Sequence, residues 1–204
     1  MINTETNIVS DTIKKLERLL SQRNAVEIVK EGDYVHAAVM MVLKQSGRNY
    51  SMLFIKRQES ERDPFSGHMA FPGGRMESVD KSKLETAVRE TYEEVGINLN
   101  ISGRILGSVD DVNPNNPKAR DYIVTPYLSV LNEEVTLKPD RGEVEKALWV
   151  PMHHLVDDRN TEIRMRERGG RMVKDYAYNY EQYIIWGMTG RILHQFLSFS
   201  SHLF

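Results

Sequence analysis

The chain has 204 residues, 40% of them hydrophobic and 27% charged, with a formal net charge of −2. That length suits one well-packed domain with terminal additions, and the apolar fraction is that of an ordinary globular protein. The near-neutral charge gives no global pull toward a nucleic-acid polymer, and the absence of cysteine excludes disulfides, thiolate metal ligands and cysteine nucleophiles together. The first ten residues lack a basic segment followed by an apolar core, and no window approaches the ~20 apolar residues that a membrane span needs. A cytoplasmic protein is the expectation.

In chain order, residues 11–20 set Ile13, Leu16, Leu19 and Leu20 at helical spacing, with Ser10 or Asp11 able to cap the helix. Residues 34–43 form a nearly continuous apolar run, and residues 51–57 follow across the turn-rich 45–49, which predicts paired central strands. A helix rich in acids ends at Gly96, where a left-handed residue is wanted. Strands are expected at 104–108, 122–130 and 147–150, with the loop 113–117 between the first two. The polar stretch 156–171 reads as an exposed hairpin, and a final helix is expected from about Ile184. These elements predict an α/β chain, a mixed β-sheet sandwiched between α-helices. Residues 1–30 read as an N-terminal helical extension and 31–204 as the main domain, including the C-terminal helix. No repeat or low-complexity tract interrupts it.

The acidic helix carries the chemistry. Glu90, Glu93 and Glu94 stand at i, i+3 and i+4 and so share one helix face. Like charges at this spacing repel by roughly 0.2–0.5 kcal/mol per pair, and burial adds to that. One reading is a solvated face laced by Glu85–Arg89 and Arg89–Glu93 ion pairs. The other is a divalent-cation site, and the context favours it: Gly73 and Gly74 make a paired-glycine turn before the helix and Gly96 closes it. Mg²⁺ is held by one or two carboxylates and shares its other positions with water and phosphate, so such a site predicts a phosphate-bearing substrate.

At this point the sequence resembles the Nudix family. Gly74 is followed after five residues by Asp80, and after eight more by Arg89-Glu90-Thr91-Tyr92-Glu93-Glu94-Val95-Gly96-Ile97. Asp80 in place of glutamate, one extra residue in the spacer and Thr91 in place of an aliphatic side chain depart from the general pattern. The first two are similar to the coenzyme A diphosphatase branch. Upstream, Arg57, Arg62, Gly67 and Phe71 resemble that branch's second signature, although Gln58 replaces a small residue and four residues, rather than three, separate Arg62 from Gly67. Residues 183–193 are similar to its closing segment.

The resemblance implies a Nudix fold in which Glu90 and Glu94 ligate Mg²⁺ or Mn²⁺. Glu93 would ligate a further ion or orient water, Arg89 would position the carboxylates, and Gly73 and Gly74 would lie against the substrate, the Gly73 carbonyl also facing a metal. The general base comes from the box itself or from a distant carboxylate, with Glu143 the candidate and Glu145 its competitor. Arg57 and Arg62 would hold a diphosphate or a 3′-phosphate, or else form structural salt bridges. The implied partner is a small nucleotide diphosphate: coenzyme A or an acyl derivative, cleaved to 3′,5′-ADP and (acyl-)4′-phosphopantetheine. Open alternatives are a Nudix diphosphatase for ADP-ribose, NADH, dinucleoside polyphosphates or noncanonical nucleoside triphosphates, and a non-catalytic nucleotide sensor. A homodimer is a family-level expectation. His68, His153 and His154 have no metal-ligand spacing with the glutamates and read as structural, and Met40, Met41 and Met69 as packing residues.

Overall fold

The computed structural model describes residues 4–29, 33–47, 49–60, 65–114, 121–168 and 170–204. At its centre is β1 (Val35–Ser46), whose unbroken apolar run reflects burial on both faces. Ala37, Val39, Met41 and Leu43 enter one core cluster, while Ala38, Met40 and Val42 enter the other. Around it, β2 (Asn49–Arg57), β3 (Met69–Ala70), β4 (Gly73–Arg75), β5 (Gly103–Ser108), β6 (Tyr122–Leu131) and β7 (Val144–Pro151) complete a seven-stranded mixed sheet among the described residues. β6 runs parallel to β1 from Val35↔Tyr122 to Leu43↔Val130, whereas β2 and β4 pair with β1 antiparallel. The sheet order is β3-β2-β1-β6-β5, with β4 beside β1 and β7 beside β2.

Helices cover both faces, as expected. On one side α2 (Lys83–Val95) buries Ala87 and Val95 against Ala38, Met40, Leu53 and Ile55. Ser82 caps it by accepting the Glu85 amide, and Gly96 ends it at φ 74°, donating its amide to the Tyr92 carbonyl. Thr91, the departure from an aliphatic residue, is fully buried, and its hydroxyl donates to the Ala87 carbonyl at 2.6 Å, so the core tolerates it. The short α3 (Leu99–Ser102) leads into β5.

On the other face lie α1 (Thr4–Gln22), which inserts Ile13, Leu16 and Leu20, and, after the short α4 (Met152–Leu155), α5 (Gly187–Ser200), which inserts Ile192, Leu193 and Phe196. Burying a leucine side chain fully contributes about 1.5–3 kcal/mol, so α1 is part of this core. It begins before residue 11, which puts Ser10 and Asp11 inside the helix, not at its cap. Asp11 instead pairs with Lys15 one turn on, at 2.6 Å.

The polar stretch after residue 156 does form a hairpin, β8 (Thr161–Arg168) against β9 (Arg171–Tyr180), and a further strand β10 (Tyr183–Ile185) extends it to three strands. The last helix therefore starts at Gly187, later than expected from Ile184. β-Branched Ile184 and Ile185 stay extended beside β9, and Gly187, at φ 67°, turns the chain into the helix. The hairpin is also only partly exposed, since Asp175, Ala177 and Tyr178 are buried at its base.

Candidate active site

The paired glycines create the opening. β4 lies so close to β1 that a Cβ on Gly73, at φ 154°, would strike the Ala38 carbonyl and Val39. A Cβ on Gly74 would occupy the space taken by the Glu90 carboxylate. Side chains from α2, which packs on one face of the sheet, thus reach past the bare edge of β4 into a cleft of about 780 Å³. Its floor includes Ala37, Val39 and Val124, and its walls carry Arg57, Arg89, Glu90, Glu93, Glu94 and Glu143. The sequence-predicted site residues from β2, β4, α2 and the turn before β7 are therefore brought together. Arg62 lies outside the described residues.

The three glutamates occupy three environments. Glu94 is only 2% exposed; its Oε2 accepts the Gly73 amide at 2.8 Å, and Arg57 Nη1 stands 3.6 Å from Oε1. Burial pushes its carboxyl up to about 8, against the opposing pull of the Gly73 amide and Arg57, and nearby Glu90 and Glu143 add to the rise. Glu90 is raised as well, by burial first, although Arg89 partly offsets it. Glu93 has a side chain 55% exposed and meets Arg89 Nη1 at 2.8 Å. The cleft thus concentrates anionic groups that the protein's own cations compensate incompletely.

Arg89 is the hub. Its guanidinium donates through Nε and Nη2 to the two Asp80 oxygens, both at 3.0 Å, through Nη1 to Glu90 and Glu93, and through Nη2 to the Arg75 carbonyl at 3.2 Å. Asp80 also accepts from Thr86 and from the Glu77 amide. The guanidinium holds the Asp80 carboxyl well below the usual carboxylate range, despite burial, and Asp80 in turn keeps Arg89 firmly protonated. The Glu85–Arg89 pair expected from helical spacing is replaced by this arrangement: Glu85 accepts the Lys81 amide at 2.8 Å. The anchoring part played by Asp80 escapes sequence reasoning because it depends on how the 76–82 loop folds back.

A bulge sets Glu143 and Glu145 apart. β2 and β7 pair Lys56↔Lys146 and then Arg57↔Val144, which leaves Glu145 as the extra residue. Glu145 reaches Lys56 at 2.6 Å and does not line the cleft. Glu143 does line it. Its turn is fastened to the end of α2 through the Asp140 amide on the Glu94 carbonyl, and to the end of β2 through the Gln58 amide on its own carbonyl.

The far wall is largely aromatic, and although most of its residues lie in segments that resemble the family branch, nothing in their spacing showed that they meet. Phe65, His68, Tyr122, Trp186 and Met188 line it. His68 packs on Trp186 with ring centroids 4.7 Å apart, and the Arg166 guanidinium lies 5.0 Å from the Trp186 ring. His154 is structural, bonded to the Asn179 carbonyl at 2.7 Å.

Chemically, the donor set fits a hard divalent cation. Among the described residues no three acidic or histidine side chains enclose an ion by themselves. Glu90 and Glu94 offer carboxylates at an open cleft, which matches a cation that takes one or two protein carboxylates and completes its shell with water and phosphate.

Comparison with known proteins gives concordant results. The NUDIX domain model matches residues 34–175. An uncharacterised Nudix hydrolase, NudL, of Photorhabdus laumondii is 31% identical over 160 residues, covering 78% of this chain and 82% of its own. The mouse peroxisomal coenzyme A diphosphatase NUDT7 is 26% identical over 165 residues, covering 76% of this chain and 66% of its own. Among solved structures, a MutT/nudix family protein of Enterococcus faecalis superposes with a TM-score of 0.50 at 18% identity, over 85% of this chain and 57% of that one, a likeness of fold alone.

Proposed function

This chain belongs to the Nudix hydrolase family, pyrophosphohydrolases that act on nucleoside diphosphate derivatives with divalent metal cations, and within it we propose that the substrate is coenzyme A or an acyl-coenzyme A. The products would be 3′,5′-ADP and 4′-phosphopantetheine or its acyl form. The observation that carries the hydrolytic reading is the convergence of Glu90, Glu93, Glu94 and Glu143 on one cleft beside Gly73 and Gly74. The name of the mouse relative supports the substrate.

In this reading Glu90 and Glu94 ligate Mg²⁺ or Mn²⁺, and Glu93 holds a further ion or orients a water. A cation held there would supply charge to neutralise phosphate oxygens and make water easier to deprotonate. Glu143 takes a proton from the attacking water, whose oxygen bonds to one phosphorus while the bridging oxygen departs with the other phosphate. Arg89, clamped by Asp80, keeps Glu90 and Glu93 in position. Arg57 and, beyond the described residues, Arg62 contact the diphosphate. The division into an N-terminal extension, 1–30, and a domain, 31–204, belongs to this proposal, with α1 of the extension packed into the domain's core. A cytoplasmic location belongs to the same proposal, and no helix among the described residues is long and apolar enough to cross a membrane.

The test is mass spectrometry of products after the purified protein meets Mg²⁺ or Mn²⁺ and a mixture of coenzyme A, ADP-ribose, NADH and nucleoside triphosphates. Appearance of 3′,5′-ADP and 4′-phosphopantetheine is expected. Rapid turnover of ADP-ribose with coenzyme A untouched would reject the substrate.

A further inference from the structure

Among the described residues three arginines line the cleft, and they differ in what they face. Arg89 is saturated by Asp80, Glu90 and Glu93. Arg57 faces Glu94. Arg75 makes no ion pair with a carboxylate among the described residues, and its guanidinium instead lies over the Tyr122 ring, 5.0 Å from the centroid.

The sheet explains how it gets there. Arg75 is opposite Ala37 on one edge of β1, and Tyr122 is opposite Val35 on the other edge. The Arg75 side chain crosses the start of β1 at a residue that presents only a methyl group. Arg75, Ala37, Tyr122 and Val124 all line the cleft. The backbone is tied to the carboxylate cluster, because the Arg75 carbonyl accepts from Arg89 and the preceding Gly74, lacking a Cβ, leaves its space to the Glu90 carboxylate.

From this geometry we infer that Arg75, braced on Tyr122, recognises a phosphate on the substrate separate from its diphosphate: the 3′-phosphate of the adenosine half. The inference rests on the coenzyme A reading above. A contact with the face of a ring engages no N–H donor of the guanidinium, so its fork stays available to grip a phosphate through two parallel bonds. The surroundings make such a group necessary. Glu77, Glu90, Glu93, Glu94 and Glu143 line the same cleft, with Arg57 and Arg89 already facing Glu94, Glu90 and Glu93, so a further phosphate there calls for a guanidinium that no carboxylate engages. A substrate without the extra phosphate has no need of Arg75.

Calorimetry with 3′,5′-ADP and 5′-AMP in the presence of Mg²⁺ tests this without any turnover. The unmodified chain should bind 3′,5′-ADP about tenfold or more tightly than 5′-AMP, as expected for a charge-assisted bidentate contact. Arg75→Gln should collapse that ratio toward one, and Arg75→Lys should restore part of it. Tyr122→Leu should weaken it through loss of the brace. In kinetics, the preference for coenzyme A over dephospho-coenzyme A should shrink in Arg75→Gln mainly through KM. An unchanged ratio in Arg75→Gln would overturn the inference, as would an equal loss for both ligands, which would indicate contact with the nucleobase instead. Failure to cleave coenzyme A would overturn the substrate proposal, while the binding ratio decides the role of Arg75 in either case.

Discussion

At one end of the cleft, carboxylates and guanidiniums from residues 57–94 are locked by short bonds: Gly73 on Glu94, Arg89 on Asp80, Glu90 and Glu93. At the other, Phe65, His68, Tyr122, Trp186 and Met188 gather from segments far apart in the chain, with the His68 and Trp186 rings in contact. The first end is dense in charge and suited to handling a diphosphate. The second is lined by rings that carry the guanidinium groups of Arg75 and Arg166, and is suited to sorting whatever is attached to the diphosphate. Chemistry and selectivity should therefore be separable by mutation.

The largest expected effect falls at the charged end. Glu94→Gln should lower metal-dependent kcat by about a thousandfold or more, because a near-isosteric amide keeps the Gly73 bond but not the charge a cation needs. Circular dichroism should show the fold retained. Substantial activity in this variant would break the division. Glu143→Gln should lower kcat by about a hundredfold with little change in KM, as removal of a general base does. Glu145→Gln, which disturbs the partly exposed pair with Lys56 outside the cleft, should stay within about twofold of the wild type. Equal effects at the two positions would remove Glu143 from the base role.

A third comparison concerns the hub. Asp80→Asn should weaken Mg²⁺ affinity by about 10–100-fold, measured by activity titration, since the groups that orient ligands typically carry that much. A variant with wild-type Mg²⁺ dependence would make Asp80 merely a loop residue. The two glycines sharpen the contrast further. Gly74→Ala should push aside the flexible Glu90 carboxylate and lower kcat by about tenfold, with a melting temperature close to that of the wild type. Gly73→Ala meets rigid backbone at Ala38 and should destabilise the fold by more than about 2 kcal/mol, seen in urea denaturation. The reverse pattern would contradict the packing described for β4.

The charged end is also the end that local sequence makes legible. Glutamates at i, i+3 and i+4, a paired-glycine turn and a glycine at the helix terminus are all short-range signals, and they point to residues that do line the cleft. The strands at 35–46, 49–57 and 122–131 are similarly readable, because burial on both faces leaves an apolar run. Other features depend on contacts that spacing does not encode. Only the bulge opposite Lys56 and Arg57 separates Glu143 from Glu145. The Asp80 clamp requires the loop to fold back onto α2, and Trp186 reaches the cleft because Gly187 redirects the chain between β10 and α5. Arg75 carries no sequence signal of its role, since its partner ring stands 47 positions later, across β1.

The account stands on cations gathering between Glu90 and Glu94. Anomalous diffraction from crystals grown with Mn²⁺ and a non-hydrolysable coenzyme A analogue tests it most directly. A manganese peak within bonding distance of both carboxylates and of a diphosphate oxygen is the result expected. A peak elsewhere, with those carboxylates still tied to Arg57 and Arg89 and the analogue's diphosphate remote from them, would contradict it.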